Sequence, residues 1–293
     1  MWPLIEISLE AKDRQDSYRL GPAVESLCAA DPSLRVSVDR DAGQLILSGD
    51  SEEHLERTLA ALARKDGLQV KIGRPQVAYR ETITKPVECT YAHKKPSGGS
   101  GEYAEVTIVF EPLERGQGFE FVDRIDDGAV PREVIPGIEK GLMIQKEDGV
   151  LAGYPVMDCR ATLVDGKYHD VDSNALTFEI AARACLRKAL RLAGPILLEP
   201  VMKVEIVTPD DRLGVVTGDL GRRRGQIVGQ MLRVAAITVE ASVPLSEMFG
   251  YRDALRGMSQ GRASFSMQYD RYGAVPTGEL PPDCFPPAVG MRA

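Results

Sequence analysis

The sequence predicts an α+β fold: two four-stranded sandwiches of βαββαβ order flanking a third, mixed unit. Three observations carry this reading. Segments of strand and helix period alternate as βαββαβ over residues 4–72. The same order recurs over residues 201–269, repeating the architecture without repeating the sequence. Finally, 293 residues that are 43% hydrophobic are enough for roughly two or three cores.

Each element has a local cause. Leu4 to Leu9 alternates as a strand, and Tyr18 to Ala29 reads as a helix stopped by Asp31-Pro32. Leu34 to Val38 and Gln44 to Ser48 form a hairpin about Asp41-Ala42-Gly43. Ser51-Glu52-Glu53 opens a helix with Leu55, Leu59 and Leu62 on one face, and Gln69 to Ile72 closes the unit as a strand. The second unit, 77–194, has strands at Val87 to Ala92, Tyr103 to Pro112, Phe119 to Ile125 and Tyr154 to Val164. Its helices are Pro131 to Gln145 and Ala175 to Leu192. The third, 195–273, runs as strand Val201 to Val207, helix Asp211 to Arg223, and the strand pair Gln226 to Arg233 and Ile237 to Val243. Helix Ser246 to Met258 and strand Ala263 to Tyr269 complete it. In the terminal units, 1–76 and 195–273, two helices would cover one face of an antiparallel sheet, a ferredoxin-like sandwich. Residues 274–293 hold five prolines and few apolar residues, which reads as a disordered tail. Gly73-Arg74-Pro75 and Gly194-Pro195 read as linkers.

Charge and cysteine usage exclude several classes. With 36 Lys+Arg against 43 Asp+Glu the net charge is -7, so a basic coat for nucleic acid is absent and any RNA contact rests on local clusters. Five scattered cysteines without C-x-x-C, and three distant histidines, give neither a disulfide framework nor zinc-ligand spacing. The start lacks a signal peptide, and no run approaches a membrane span. A cytoplasmic protein without membrane contact is expected.

Four local patterns stand out. His93-Lys94-Lys95-Pro96-Ser97-Gly98-Gly99-Ser100-Gly101 is glycine-rich with paired lysines, so it reads either as a flexible hairpin loop or as a close approach to phosphate. It is no P-loop, because it lacks Gly-Lys and runs into a strand, and no other P-loop exists in the sequence. The loop Tyr168-His169-Asp170 precedes Asp172-Ser173-Asn174, three residues of N-cap type; its His-Asp pair has no nucleophile to serve. On the next helix Phe178, Ala182, Cys185, Ala189 and Leu192 make a core-facing seam, while Arg183, Arg187 and Arg191 form a basic stripe near Lys188. That stripe is either a solvated face or a phosphate contact. Arg222-Arg223-Arg224 before Gly225 reads partly as helix capping and partly as an RNA or protein surface.

Taken together, six words resemble the third, fourth and fifth domains of bacterial elongation factor G. They are Ser97-Gly98-Gly99-x-Gly101-x-Tyr103, Leu151 to Val156 (LAGYPV), Tyr168 to Ser173 (YHDVDS), Leu197 to Met202 (LLEPVM), Gly218 to Gly225 (GDLGRRRG), and Val243 to Tyr251 (VPLSEMFGY). They follow the family's order over residues 3–273. The resemblance implies that residues 77–194 are the elongated domain, with a left-handed βαβ crossover, that reaches the decoding centre. Its tip loops, with Lys94, Lys95, Ser97, Gly98, Gly99, Gly101, Tyr168, His169 and Asp170, would touch the tRNA–mRNA duplex. Arg183, Arg187, Arg191 and Arg222 to Arg224 would face RNA. The implied partners are ribosomal RNA, tRNA and mRNA, together with the G domain and second domain of the same monomeric protein. Neither of those domains is recognisable here, so Met1 reads as the start of a truncated piece. No catalytic residue, metal or cofactor is expected in these residues; GTP and magnesium would belong to the full-length factor.

The chain also departs from the family, which commonly has Arg, Gln, Gly and His where this sequence has Ser100, Glu102, Ala104 and Glu105. Two acids beside the loop weaken phosphate affinity and point to a paralogue with an altered role such as ribosome recycling. A stand-alone ribosome-binding module is a further alternative. A small-molecule kinase is disfavoured because the glycine-rich loop leads into a strand rather than a helix.

Overall fold

In the computed structural model, residues 3–38, 44–95, 101–125, 129–233 and 236–276 are described, except the side chains of residues 14, 15, 65 and 66. The expected Asp41-Ala42-Gly43 turn, the loop residues Pro96 to Ser100 and the tail from 277 lie outside them. The chain divides into two compact units. One contains residues 1–78 and 199–270, the other residues 79–198 with 271–276.

In the first unit, β1 (Ile5–Ala11), α1 (Arg14–Ala30), β2 (Arg35–Val38), β3 (Leu45–Gly49), α2 (Glu52–Asp66) and β4 (Val70–Ile72) realise the βαββαβ order. The antiparallel sheet runs β2-β3-β1-β4, and the short β5 (Gln76–Val77) pairs with β1. Asp13 caps α1 by accepting from the Asp16 N–H at 2.8 Å, so the helix begins four residues before the sequence-based start. Ser51 caps α2 in the same way, and Gly67, at φ 64°, ends it. Leu20 and Val24 of α1 and Leu55 and Leu62 of α2 are buried with Ile5, Ile7 and Leu9.

The same unit holds the second sandwich: β11 (Pro195–Thr208) from its residue 199 onward, α5 (Leu213–Arg222), β12 (Gln226–Arg233), β13 (Ala236–Pro244), α6 (Tyr251–Ser259) and β14 (Ser264–Ala274) as far as residue 270. Its order, β12-β13-β11-β14, matches that of the first sheet. Val216, Leu220 and Leu255 bury the helices against Val204, Ile206, Val239 and Ala241.

The other unit has β6 (Arg80–Ile83), β7 (Val87–Lys95), β8 (Glu102–Pro112), β9 (Phe119–Asp123), α3 (Ile135–Gln145), β10 (Cys159–Lys167) and α4 (Ala175–Leu192). Its sheet runs β7-β8-β10-β9. β9 and β10 are parallel, and α3 lies on the connection between them. Phe178, Ala182, Cys185 and Ala189 of α4 sit in one core with Ile138, Leu142, Ile108 and Phe110. The expected seam stops there: Leu192 is 60% exposed, and Leu186 and Leu190 are buried instead. The expected strand from Tyr154 starts only at Cys159, because residues 150–154 wrap around the buried Glu81 carboxylate. Gly194-Pro195 is no free linker: Pro195 opens β11, whose first residues pair with β6. The tail begins later than expected, since β14 includes Ala274 and the Val275 N–H donates to Leu197 O. Among the described residues no helix is long and apolar enough to cross a membrane.

Candidate nucleic-acid interface

β7 and β8 pair antiparallel, and their last register pairs are Lys94↔Tyr103 and Lys95↔Glu102, where residues 96–101 connect them in sequence. Directly opposed side chains interact across such a ladder. Lys94 Nζ lies 5.3 Å from the Tyr103 ring centre. Lys95 Nζ is 3.6 Å from Glu102, and His93 Nε2 donates to the same carboxylate at 2.9 Å. The His93 hydrogen bond holds the Glu102 carboxyl below the usual range. Further along the sheet, Glu105 accepts from Lys167 Nζ at 2.6 Å and from the Tyr103 hydroxyl at 3.3 Å, and the lysine bond depresses its pKa too. The two acids that depart from the family pattern are thus ion-paired with cations of the tip.

The second loop joins this hairpin. The Gly101 N–H donates to Asp172 Oδ1 at 3.1 Å, and the Tyr103 N–H to Asp172 O at 2.9 Å. Ser173 Oγ donates to Tyr103 O at 2.6 Å and accepts from the His169 N–H at 2.8 Å. A Cβ on residue 101 would stand 3.0 Å from the Asp172 carboxylate, so glycine permits the close approach of the two loops. Of the three residues of N-cap type only Asn174 caps α4, in a reciprocal box with Thr177; Asp172 and Ser173 hold the loops together. The distinction is invisible in sequence, where all three fit a cap. Tyr168, His169, Asp170 and Val171 are exposed on the outer side of this junction, Val171 at 80%. Ser97, Gly98 and Gly99 lie outside the described residues.

The α4 stripe is a separate surface. Arg183 is half-buried, and Arg187 and Arg191 are exposed. With Lys188 they line a groove of about 620 Å³ that also includes Tyr91 of β7. Lys188 was placed near the stripe by sequence, whereas Tyr91 was not, since the register that brings β7 beside α4 is a tertiary property.

The three consecutive arginines divide. Arg223 Nε pairs with Asp219 at 2.8 Å, and its guanidinium also donates to Glu247 O and lies 5.0 Å from the Tyr251 ring centre. Arg224 grips buried Glu199 through two bonds of 2.6 and 3.0 Å and reaches Glu247 at 2.8 Å. These contacts raise its pKa, and they account for both residues within the fold. Arg222 is exposed, with no polar side-chain partner among the described residues.

Known proteins match this architecture segment by segment. Residues 2–74 match the family model described as Elongation Factor G, domain III. Residues 75–194 match Elongation factor G, domain IV, and residues 196–280 match Elongation factor G C-terminus. A crystal structure from Thermus thermophilus is similar at 37% identity and a TM-score of 0.71, covering 94% of this chain. The chain spans 41% of that structure's length. Three successive domain models of one family along one chain, on a fold with matching sheet orders, lead to one conclusion: the chain belongs to the elongation factor G family.

Proposed function

We propose that the chain is the ribosome-engaging part of a factor that promotes tRNA–mRNA translocation, with GTP and magnesium handled elsewhere in the full-length protein. The observation that carries this reading is the joined tip. Two loops 71 residues apart, bonded Gly101 to Asp172, present Lys94, Tyr168, His169 and Asp170 at one end of a rigid hairpin. Such a body acts as a wedge: binding energy at its tip favours one position of the tRNA–mRNA duplex over another. Ribosomal RNA, tRNA and mRNA are its partners, and Arg222 is the arginine of its cluster free to meet RNA phosphate.

A second reading, a paralogue acting in ribosome recycling or another altered role, is favoured by Glu102 and Glu105. They neutralise Lys95 and Lys167 and so weaken the tip's attraction for phosphate. Deleting residues 94–101 in the full-length factor tests the first reading. Translocation slows while ribosome-stimulated GTP hydrolysis persists. Equal loss of both contradicts the wedge, and unchanged translocation favours the paralogue.

A further inference from the structure

We propose that Cys89 of β7 and Cys185 of α4 form a redox site, oxidised by hydrogen peroxide to a reversible disulfide that pins the edge strand to the helix. The inference goes beyond the ribosomal reading and does not depend on it. The two residues stand 96 positions apart, so sequence spacing gives no hint of a pair, yet they share one core. The Cys185 thiol donates to Cys89 O at 3.2 Å and is hydrogen bonded to the Cys89 sulfur as well. Cys89 is buried between exposed Glu88 and Thr90, on a strand whose one ladder partner among the described residues is β8. An edge strand bonded along one side opens more readily than an internal one. Peroxide, little larger than water, reaches the Cys89 sulfur by such an opening.

The surroundings divide the labour between the two sulfurs. A thiolate, not a thiol, attacks peroxide. Burial pushes the Cys159 thiol, in the same core, up to about 12, and burial with Asp31 and Glu25 raises Cys28. Cys89 differs from both. The hydrogen bond from Cys185 holds its pKa below the usual thiol value against the effect of burial, helped by Lys188, whose Nζ is fixed 3.2 Å from Thr90 O. The same hydrogen bond, with burial, raises Cys185, which therefore keeps its proton. In the first step the Cys89 thiolate attacks one peroxide oxygen, the O–O bond breaks, and water leaves once hydroxide takes up a proton. Cys89 is then a sulfenic acid, its sulfur oxidised by the two electrons that reduce the peroxide. A neutral sulfenic acid no longer holds Cys185 protonated, and Lys188 now favours its thiolate. Cys185 attacks the Cys89 sulfur, the S–S bond forms, the S–O bond breaks, and the departing hydroxide leaves as water with the Cys185 proton. Two thiols and one peroxide give one disulfide and two waters, and a cellular dithiol reverses the change.

Mass spectrometry of the whole chain tests the site in a C28S/C284S background, which leaves Cys89, Cys159 and Cys185 as the thiols. The chain is treated with hydrogen peroxide, quenched with catalase, blocked with N-ethylmaleimide in urea and digested without reduction. The Cys89 peptide is expected joined to the Cys185 peptide, lighter than their sum by the hydrogens lost, while Cys159 is alkylated. Dithiothreitol releases the link. Hydrogen exchange of the β7 amides slows on oxidation, because the cross-link suppresses opening of the edge, and does not slow in peroxide-treated C185A. Dimedone labels Cys89 in C185A, trapping the sulfenic acid, and leaves Cys185 unlabelled in C89A. Alkylation of both Cys89 and Cys185 in the peroxide-treated parent overturns the proposal, as does a link from either to Cys159. Dimedone on Cys185 in C89A overturns the assignment of roles. The parent digest decides the link whether or not either alanine variant folds.

Discussion

Five consecutive backbone N–H groups, from Val150 to Tyr154, converge on the carboxylate of Glu81 at 2.7–3.3 Å. Glu81 is 1% exposed, so these bonds replace its whole hydration shell. A Cβ on Gly149 would lie 2.3 Å from the same carboxyl carbon, which explains a glycine at the entry to the loop. Glu81→Gln turns an amide NH2 toward N–H donors and is expected to cost about 3 kcal/mol. Hydrogen exchange measures it directly, as lost protection of the amides of residues 150–154. None of this was legible: Glu81 lies in a stretch to which the sequence assigns no element, and the LAGYPV word was recognisable only by likeness. Tyr251 gives the opposite case. Its ring is buried, its hydroxyl has no hydrogen-bond partner among the described residues, and burial, aided by Asp219, pushes its pKa up to about 12. An unfolded tyrosine ionises near pH 10. The stabilisation from keeping Tyr251 neutral is therefore complete below about pH 10 and is lost as pH rises toward 12. Tyr251→Phe should leave stability at pH 7 within about 1 kcal/mol and flatten the alkaline decline between pH 10 and 12 in denaturant titrations.

Helices α3 and α4 show what packing adds to pattern. Gly137 and Gly141 bring α3 so near α4 that added Cβ atoms would stand 2.4 Å from Ala175 O and from Glu179 O respectively. Both contacts are to backbone, which cannot swing aside. Gly141→Ala gains up to about 1 kcal/mol of helix propensity, yet separating the helices costs about 2–3 kcal/mol. A net loss in thermal unfolding is expected, and a variant more stable than the parent would mean that α3 shifts freely. The apolar period of α4, preceded by three residues of N-cap type, placed that helix at Ala175–Leu192, and the structure agrees. The missed boundaries have local causes. Asp13 caps α1 earlier than the apolar pattern begins, and a 3-10 turn at Leu245–Glu247 delays α6 to Tyr251. β5 and β6, of two and four residues, are too short for a periodicity to register. The tip divides along the same line: glycines and lysines mark the loops in sequence, while the bonds through Asp172 and Ser173 that join them span some 70 positions and follow from the fold.

At the scale of the molecule, continuity of β11 matters more than the Gly194-Pro195 punctuation. Residues Pro195 to Leu198 pair with Ile83 to Arg80, and from Val201 the strand pairs with β13 instead. Pro200, which has no N–H to donate, falls between the two ladders. The Thr84 N–H donates to Ala193 O at 3.1 Å and its hydroxyl to Gly194 O at 2.8 Å, while Gly194 takes φ 64° to turn the chain into the strand. A piece cut at residue 194 therefore ends in the middle of a bonded turn and leaves β6 without its β11 partner. That loss reaches Glu81, which lies in β6 and organises the 150–154 loop. A piece spanning 77–200 keeps the ladder, and each restored backbone bond contributes about 0.5–1.5 kcal/mol. Residues 77–200 are accordingly expected to unfold at least about 2 kcal/mol harder in urea than residues 77–194, with the amides of 150–154 protected in the longer piece and exposed in the shorter. Equal stability of the two would mean that β6 holds its place, and the Glu81 carboxylate its five donors, without β11.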